Sequence, residues 1–306
     1  KAFVDEDSGW VTYPVTVALN DSDGSESLAS VVVQYSTSGA GAQPSVQLDP
    51  ALQSTMFPAV VLTPGAGQLT LTGPTALIEA ALQALQVKPG TNNDADINIT
   101  VTATAVESNP SEANSTGPGV AGTEISVPTA NTSQSFVIPV KALADTPTLT
   151  IDSIGAGGVG HGVEDTDIPL ALTAGHPDTA DGSERIQNVV IAGVPAGFTL
   201  TSTGSGALSY NAGTGNYTVT GASDAAINDT LAKLKLVIAP AGARLNLDTD
   251  FQLQVTVTSI ESNPSESGAG QGGGATNSVT FPVDVAVVAV ADGTTPSGSS
   301  VVVEDV

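Results

Sequence analysis

The stretch TNNDADINITVTATAVESNPSE (91–112) decides the fold, because the chain writes it a second time as LNLDTDFQLQVTVTSIESNPSE (245–266). In the first copy Ile97, Ile99, Val101, Ala103 and Ala105 alternate with Asn98, Thr100, Thr102 and Thr104. In the second, Phe251, Leu253, Val255 and Val257 alternate with Gln252, Gln254, Thr256 and Thr258. A period of two with one polar face is the mark of a half-buried antiparallel strand. Both copies close on the same hexapeptide, ESNPSE. In a chain of which only 12% is charged, a verbatim acidic match is not a coincidence.

The match extends outward. LTLTGPTALIEAALQALQVKP (69–89) aligns with YTVTGASDAAINDTLAKLKLVIAP (217–240), DSDGSE (21–26) with DTADGSE (178–184), and VDED (4–7) with VEDTD (163–167). VVVED (301–305) begins the pattern a third time. The join repeats as well, VIPVKALADTP (137–147) against DVAVVAVADGTTP (284–296). Self-similarity at a fixed order means tandem homologous domains. The boundaries fall at 1–145 and 146–292, with 293–306 a linker and the first residues of a third repeat. On this reading the chain is a segment of something longer.

Each repeat carries one exception to the strand pattern. Ile78, Leu82 and Leu85 stand at i, i+4 and i+7, and Ile227, Leu231 and Leu234 repeat that spacing. This predicts one amphipathic helix of about three turns per repeat, with Thr75 and Asp224 at the N-cap. A single short helix cannot cover a sheet, so it is a crossover at one side of a β-sandwich, and its apolar residues are core rather than a cofactor pocket.

Composition agrees with an all-β chain. Of 306 residues 40% are hydrophobic but only 4% aromatic, and there are 33 Gly and 19 Pro. Small β-branched residues punctuated by Gly and Pro suit short strands and tight turns. There are 31 Asp and Glu against 7 Lys and Arg, a formal charge of -24. That field repels phosphate backbones and anionic lipid, which argues against nucleic-acid and membrane-surface partners. Cysteine is absent, so disulfides and thiolate–zinc sites play no part. No apolar run is long enough to span a bilayer.

The carboxylates gather in turn segments. Repeat one offers Asp5, Glu6 and Asp7, then Asp21, Asp23 and Glu26, then Glu107 and Glu112. Repeat two offers Glu164, Asp165 and Asp167, then Asp178, Asp181 and Glu184, then Glu261 and Glu266. Asp145 and Asp292 lie in the joins, where an aspartate and acids from both neighbours could share an ion and stiffen the joint. Two like charges about 4 Å apart repel by about 4 kcal/mol at an effective dielectric near 20. Such clusters are either solvated turns or oxygen donors for a divalent cation. Recurrence at equivalent positions favours Ca²⁺, which accepts irregular sets of hard oxygen ligands. DSDGSE is not an EF-hand loop, since it lacks the third acid before Gly and the glutamate at position twelve.

Other motifs fail on context. GAGQGG (268–273) satisfies GxGxxG, but a strand rather than a helix follows, so no helix N-terminus awaits a pyrophosphate. GAGGVGHGVED (155–165) has Gly162 where a calcium β-roll nonapeptide has Asp. His161 and His176 have no counterparts in repeat one and make a poor zinc set. No GxSxG is present, and acids in turns without an aromatic platform argue against glycoside cleavage. The residues indicate no enzyme.

The order VEDT…DGSE…LTVTG…INxxLxxLxxxP…VTVTSxESNPSE resembles the roughly 140-residue tandem repeat of type I-secreted giant RTX adhesins, or agglutinins, of Gram-negative bacteria. The resemblance covers nearly all of both repeats. It implies two tandem Ig/cadherin-like Greek-key β-sandwich domains, each with one short crossover helix, in a calcium-stabilised extender of an extracellular, cell-surface adhesin. It also implies Glu164, Asp165, Asp181 and Glu184, with their partners in repeat one, as calcium ligands. Neighbouring repeats of the same chain are then the partners, with no nucleic acid, no membrane insertion and a monomeric state. The alternative function is a carbohydrate- or protein-binding module acting through loops such as 113–134 or 268–277, which differ between the repeats.

Overall fold

A computed structural model of the chain describes residues 3–20, 25–38, 41–107, 129–154, 161–179, 182–238, 249–261 and 274–291. Asp21, Asp23, Asp181 and Asp292 lie outside the described residues. So do the turns that follow Glu107 and Glu261, the GAGQGG loop and the third VED head. The chain divides into two compact units. One comprises Lys1–Asp145 with Pro177–Glu184 and Ile260–Thr276, the other Thr146–His176, Arg185–Ser259 and Asn277–Val306.

In the first repeat the elements run β1 (Val4–Asp5), β2 (Val11–Thr12), β3 (Glu26–Thr37), β4 (Ser45–Leu48), α1 (Pro50–Thr55), β5 (Val61–Gly65) and β6 (Gln68–Thr72). They continue with α2 (Thr75–Gln83), β7 (Leu85–Lys88), β8 (Ile97–Glu107), β9 (Thr129–Ile138) and β10 (Val140–Lys141). A five-stranded sheet, β5-β6-β3-β8-β9, faces a three-stranded sheet, β2-β7-β4. Val31, Val33, Leu71, Ile97 and Ile99 from the larger sheet and Leu48, Leu85 and Val87 from the smaller fill one core, a β-sandwich.

The second repeat runs β11 (Thr148–Ile154), β12 (His161–Val163), β13 (Ile168–Gly175), β14 (Glu184–Ala192), β15 (Phe198–Thr201) and β16 (Ala207–Asn211). It ends with β17 (Asn216–Thr220), α3 (Asp224–Ala232), β18 (Leu234–Ile238), β19 (Phe251–Glu261) and β20 (Thr276–Val288). Here the sheets are β11-β13-β18-β15 and β12-β20-β19-β14-β17-β16. Leu170, Leu172, Leu234 and Leu236 meet Val189, Val219, Leu253, Val255 and Val283 between them. The two alternating stretches are thus the long strands β8 and β19, as their period requires. Their polar faces form a repeated hydroxyl ladder: Thr100–Ser135 at 2.9 Å and Thr102–Ser133 at 2.8 Å in one repeat. Thr256–Thr280 at 2.8 Å and Thr258–Ser278 at 2.9 Å form it in the other. Such cross-strand pairs fix register on the solvent side.

The crossover helices form where expected but begin and end differently. α2 starts at Thr75 after Pro74, without a side-chain cap. α3 is capped by Ser223, whose Oγ accepts from Ala226 N at 3.3 Å, and Asp224 is its first helical residue. Thr75 and Asp224 instead reach across to a strand. Thr75 Oγ1 accepts from Leu28 N at 3.0 Å, and Asp224 Oδ1 from Ile186 N at 2.8 Å. Each satisfies a backbone donor near the start of a long strand, a stronger claim than a helix end that water can serve. Leu85 and Leu234 open the next strand rather than closing the helix, and each is about 1% exposed. The first repeat also holds a helix that no apolar period announces, α1, with Asp49 Oδ1 accepting from Ala51 N at 2.8 Å and proline at its first turn.

Leu71 and Leu172 are fully buried at 0% exposure. Leu71→Ala and Leu172→Ala are each expected to cost about 2–5 kcal/mol in urea unfolding of the full chain, through lost transfer energy and the cavity left behind. Ser223→Ala is expected to cost about 1 kcal/mol. Asp224→Ala should cost more, because a buried strand N–H loses its acceptor; equal costs would return the cap to Asp224.

Candidate metal centre

The acidic heads are placed by the pairing of an early strand with a late one. β1 lies parallel to β10, with Val4 opposite Val140. Glu6 N donates to Lys141 O at 2.9 Å, and the Glu6 carboxylate accepts from Leu143 N at 3.1 Å. The second repeat does the same. β12 lies parallel to β20, Glu164 N donates to Val288 O at 3.0 Å, and Glu164 Oε2 accepts from Val290 N at 2.8 Å. Asp7 (φ 55) and Asp165 (φ 60) then turn the chain off the ladder in the left-handed region, which aspartate tolerates better than most residues. A second pair is duplicated nearby: Asp96 Oδ1 accepts from Val140 N at 3.0 Å, and Asp250 Oδ1 from Val287 N at 2.8 Å.

In the first compact unit the Glu6 clamp sits within a wider acidic group. Glu6, Asp178, Glu184 and Glu261 are all buried, at 2%, 2%, 4% and 1% exposure. The join is tied into this group by its backbone, since Asp145 N donates to Glu184 Oε1 at 2.7 Å. Asn92 links two further acids: its N donates to Asp7 Oδ1 at 2.9 Å, and its Nδ2 to Asp145 Oδ2 at 3.4 Å. Ser183 Oγ donates to Asp178 Oδ2 at 3.1 Å. Asn92 and Ser183 went unremarked in the sequence because neither is acidic. The signal available for Asn92 was the run TNND ahead of a strand, since asparagine there favours a turn and tolerates its φ of 51°.

Burial pushes the Glu6 carboxyl up from 4.5 to about 8. The Leu143 N–H opposes this, while the charges of Asp7, Asp178 and Glu261 add to it. At neutral pH this carboxyl therefore holds a proton most of the time, a proton standing where positive charge is wanted.

The remaining candidates lie elsewhere. Asp5 is exposed and meets Lys141 Nζ at 3.8 Å, a surface pair of small worth. Glu26 and Glu107 face each other across the β3–β8 ladder, where Ser25 Oγ donates to Glu107 Oε2 at 3.1 Å. Asp167 is exposed beyond the Glu164 clamp. His176 pairs with Asp224 at 2.9 Å. Burial would raise the Asp224 carboxyl, but the bonds from His176 and Ile186 N and the nearby cationic charge hold it below its ordinary value. Among the described residues, no three His, Cys, Asp or Glu side chains converge as a ready-made metal cage. The donor chemistry is nonetheless all oxygen, which suits a hard cation and no soft one.

The Glu6 carboxyl gives a signed pH dependence. Its folded value lies above its unfolded one, so the folded protein holds the extra proton between about 4.5 and 8. In chelator, stability is expected to fall as pH rises through that window and to level off above it. Glu6→Gln, which keeps an acceptor without the charge, should flatten the decline. Urea midpoints at pH 5, 6, 7 and 8 read it directly, and parallel curves for both proteins would count against it.

No family model matches the chain. No curated protein sequence matches it. Among solved structures, it is similar to the C-terminal domain of the antigen I/II polypeptide BspA of Streptococcus agalactiae at 9% identity, with 84% of each chain covered and a TM-score of 0.26. The C-terminal domain of the antigen I/II-family protein AspA of Streptococcus pyogenes aligns at 12% identity over 82% of this chain and 83% of that one, with a TM-score of 0.27. The collagen adhesin of S. aureus aligns at 10% identity over 84% and 81%, with a TM-score of 0.21. At scores this low the fold rests on the chain's own strands and core, which make it an all-β sandwich protein.

Proposed function

We propose that the chain is a calcium-stabilised structural extender of a secreted bacterial cell-surface adhesin, of the RTX type exported by type I secretion, which holds distal binding modules away from the cell. Its role is mechanical rather than catalytic, and it works as a monomer whose partners are neighbouring repeats of the same chain. One observation carries the spacer reading: in each repeat an early strand and the last strand run parallel, β1 with β10 and β12 with β20. Parallel partners send the chain in at one end of the ladder and out at the other, whereas an antiparallel pair would return it to its starting end. Tension between those ends loads the ladder bonds in shear, so that they resist together.

Calcium enters through the cost of the buried acids. Glu6, Asp178, Glu184 and Glu261, with the carboxylates of Asp7 and Asp145 close by in the hydrogen-bonded chain, are the residues that would hold it. A bound ion supplies the neutralising charge. The chain's own groups do the rest: Leu143 N–H holds Glu6, Asp145 N–H holds Glu184, and Asn92 ties Asp7 to Asp145. Because an ion that binds only the folded state adds to its stability, such a chain leaves a low-calcium cytoplasm unfolded and folds outside.

Thermal melts of the full chain in EDTA and in millimolar Ca²⁺ test this. Stabilisation of about 2.7 kcal/mol is expected at a hundredfold excess over Kd. Glu6→Gln combined with Glu184→Gln should remove most of that increment while leaving the EDTA melt unchanged or higher. Identical midpoints with and without calcium would sink the calcium reading. The spacer reading is tested separately by single-molecule stretching, in which each unit should resist with a distinct force peak.

A further inference from the structure

The two sandwiches differ at one edge. In the second repeat β11 runs antiparallel to β13, with Leu149 opposite Ala174 and Ile151 opposite Leu172, and both side chains pack on the core. Beneath them Leu170 and Leu172 are 0% exposed and Ala174 is 3% exposed.

The first repeat has the corresponding seat. Val11 pairs with Val87 of β7 as Ile168 pairs with Leu236 of β18. Tyr13 N donates to Leu85 O where Leu170 pairs with Leu234. Counting on, Tyr13, Val15 and Val17 stand for Leu170, Leu172 and Ala174. Among the described residues no strand pairs with 13–18 on their outer side. An apolar groove of ≈ 590 Å³ lies there instead, lined by Tyr13, Val15, Val17, Ala103, Ala105 and Phe136. Among the described residues the sandwich is correspondingly open at this edge. Tyr13, Val17, Ala103 and Ala105 remain half-buried, while Val257 and Ser259, which take the places of Ala103 and Ala105, are fully buried.

The backbone is also prepared for a partner. Tyr13 N and Val15 N donate inward, to Leu85 O and Leu82 O. By strand alternation the N–H groups of Thr16 and Ala18 face the groove edge. Pro14, which has no N–H to give, stands at the position of Ala171, next to the register shift between Ile151 and Ser153 where the β11–β13 ladder is already interrupted.

We infer that the groove along Tyr13–Ala18 is the seat of an antiparallel β-strand with the alternating apolar chemistry of Thr148–Ile154, supplied from the N-terminal side of Val4 as Thr148–Ile154 is supplied from the N-terminal side of Glu164. The occupant adds main-chain bonds to Thr16 and Ala18 and lays two apolar side chains over Val15 and Val17, an instance of strand addition at an exposed edge.

The test is a graft on the full chain. A copy of residues 146–160 is placed ahead of Lys1 and compared with the same graft carrying Leu149→Asp and Ile151→Asp in the copy only. Amide exchange at Thr16 and Ala18 is expected to slow at least about tenfold in the first graft and not in the second. Equal exchange in the two grafts overturns the inference. Protection by the free peptide at equimolar concentration, without protection in the graft, overturns the N-terminal source. Should the graft not express, peptide 146–160 is titrated onto the unmodified chain. Saturable binding abolished by Val17→Asp supports the seat, and no saturation by about 1 mM overturns it.

Discussion

A glutamate that holds the backbone of the outgoing chain is the contact on which each repeat depends. Glu6 accepts from Leu143 N and Glu164 from Val290 N, each just past the parallel pairing of an early strand with a late one. A two- or three-residue parallel ladder is a weak device alone, since its bonds are few and slanted. A side-chain oxygen that takes the next backbone N–H adds a bond where the ladder ends, and leaves no donor of the outgoing chain unmet there. The aspartates next in line then take the left-handed turn that leads the chain into the sandwich. Closing the two ends of a repeat with one short motif explains why that motif is acidic and why it recurs.

The clamp costs something, since a carboxylate shielded from water is unfavourable unless its charge is met. In the first compact unit the cost is multiplied, because Glu6 lies near the charges of Asp7, Asp178 and Glu261. Backbone donors from Leu143 and Asp145 offset part of it, and protonation of Glu6 offsets more. The group is thereby sensitive to protons, which supply the missing charge. Among the seven basic residues of the chain, Lys141 meets Asp5 and Lys233 meets Asp229, both on the surface.

The two sandwiches also show how one core tolerates different edges. Their helices, long strands and hydroxyl ladders superimpose in register along the sequence, and Thr75 and Asp224 bond equivalent strand positions despite their different chemistry. What varies is the strand beside Tyr13–Ala18 or Leu170–Gly175, present as β11 in one repeat only among the described residues. An edge can be added or left open because its contribution is local, whereas a change in the alternation of β8 or β19 would turn a whole face from core to solvent.

The alternation of Ile97–Ala105 and Phe251–Val257 determined by itself that these segments are half-buried strands, since period two has no other stable solution. The duplicated order of motifs determined that the long strand and the helix before it occur twice, and the spacing of Ile78 with Leu82 and of Ile227 with Leu231 determined that this helix is amphipathic. The tertiary structure decided what those patterns cannot carry. Leu85 and Leu234 keep helical spacing yet open a strand, because either element would bury them equally. Thr75 and Asp224 read as helix caps, but a buried strand N–H lies within reach and competes for the same oxygen. The acidic turns looked alike along the chain, yet only folding brought Asp178 and Glu261 near Glu6, set Glu184 on the Asp145 backbone, and let Asn92 link the exposed Asp7 to Asp145. Proximity between residues so far apart in sequence leaves no local trace, because it depends on which strands pair and not on the neighbours of any one residue.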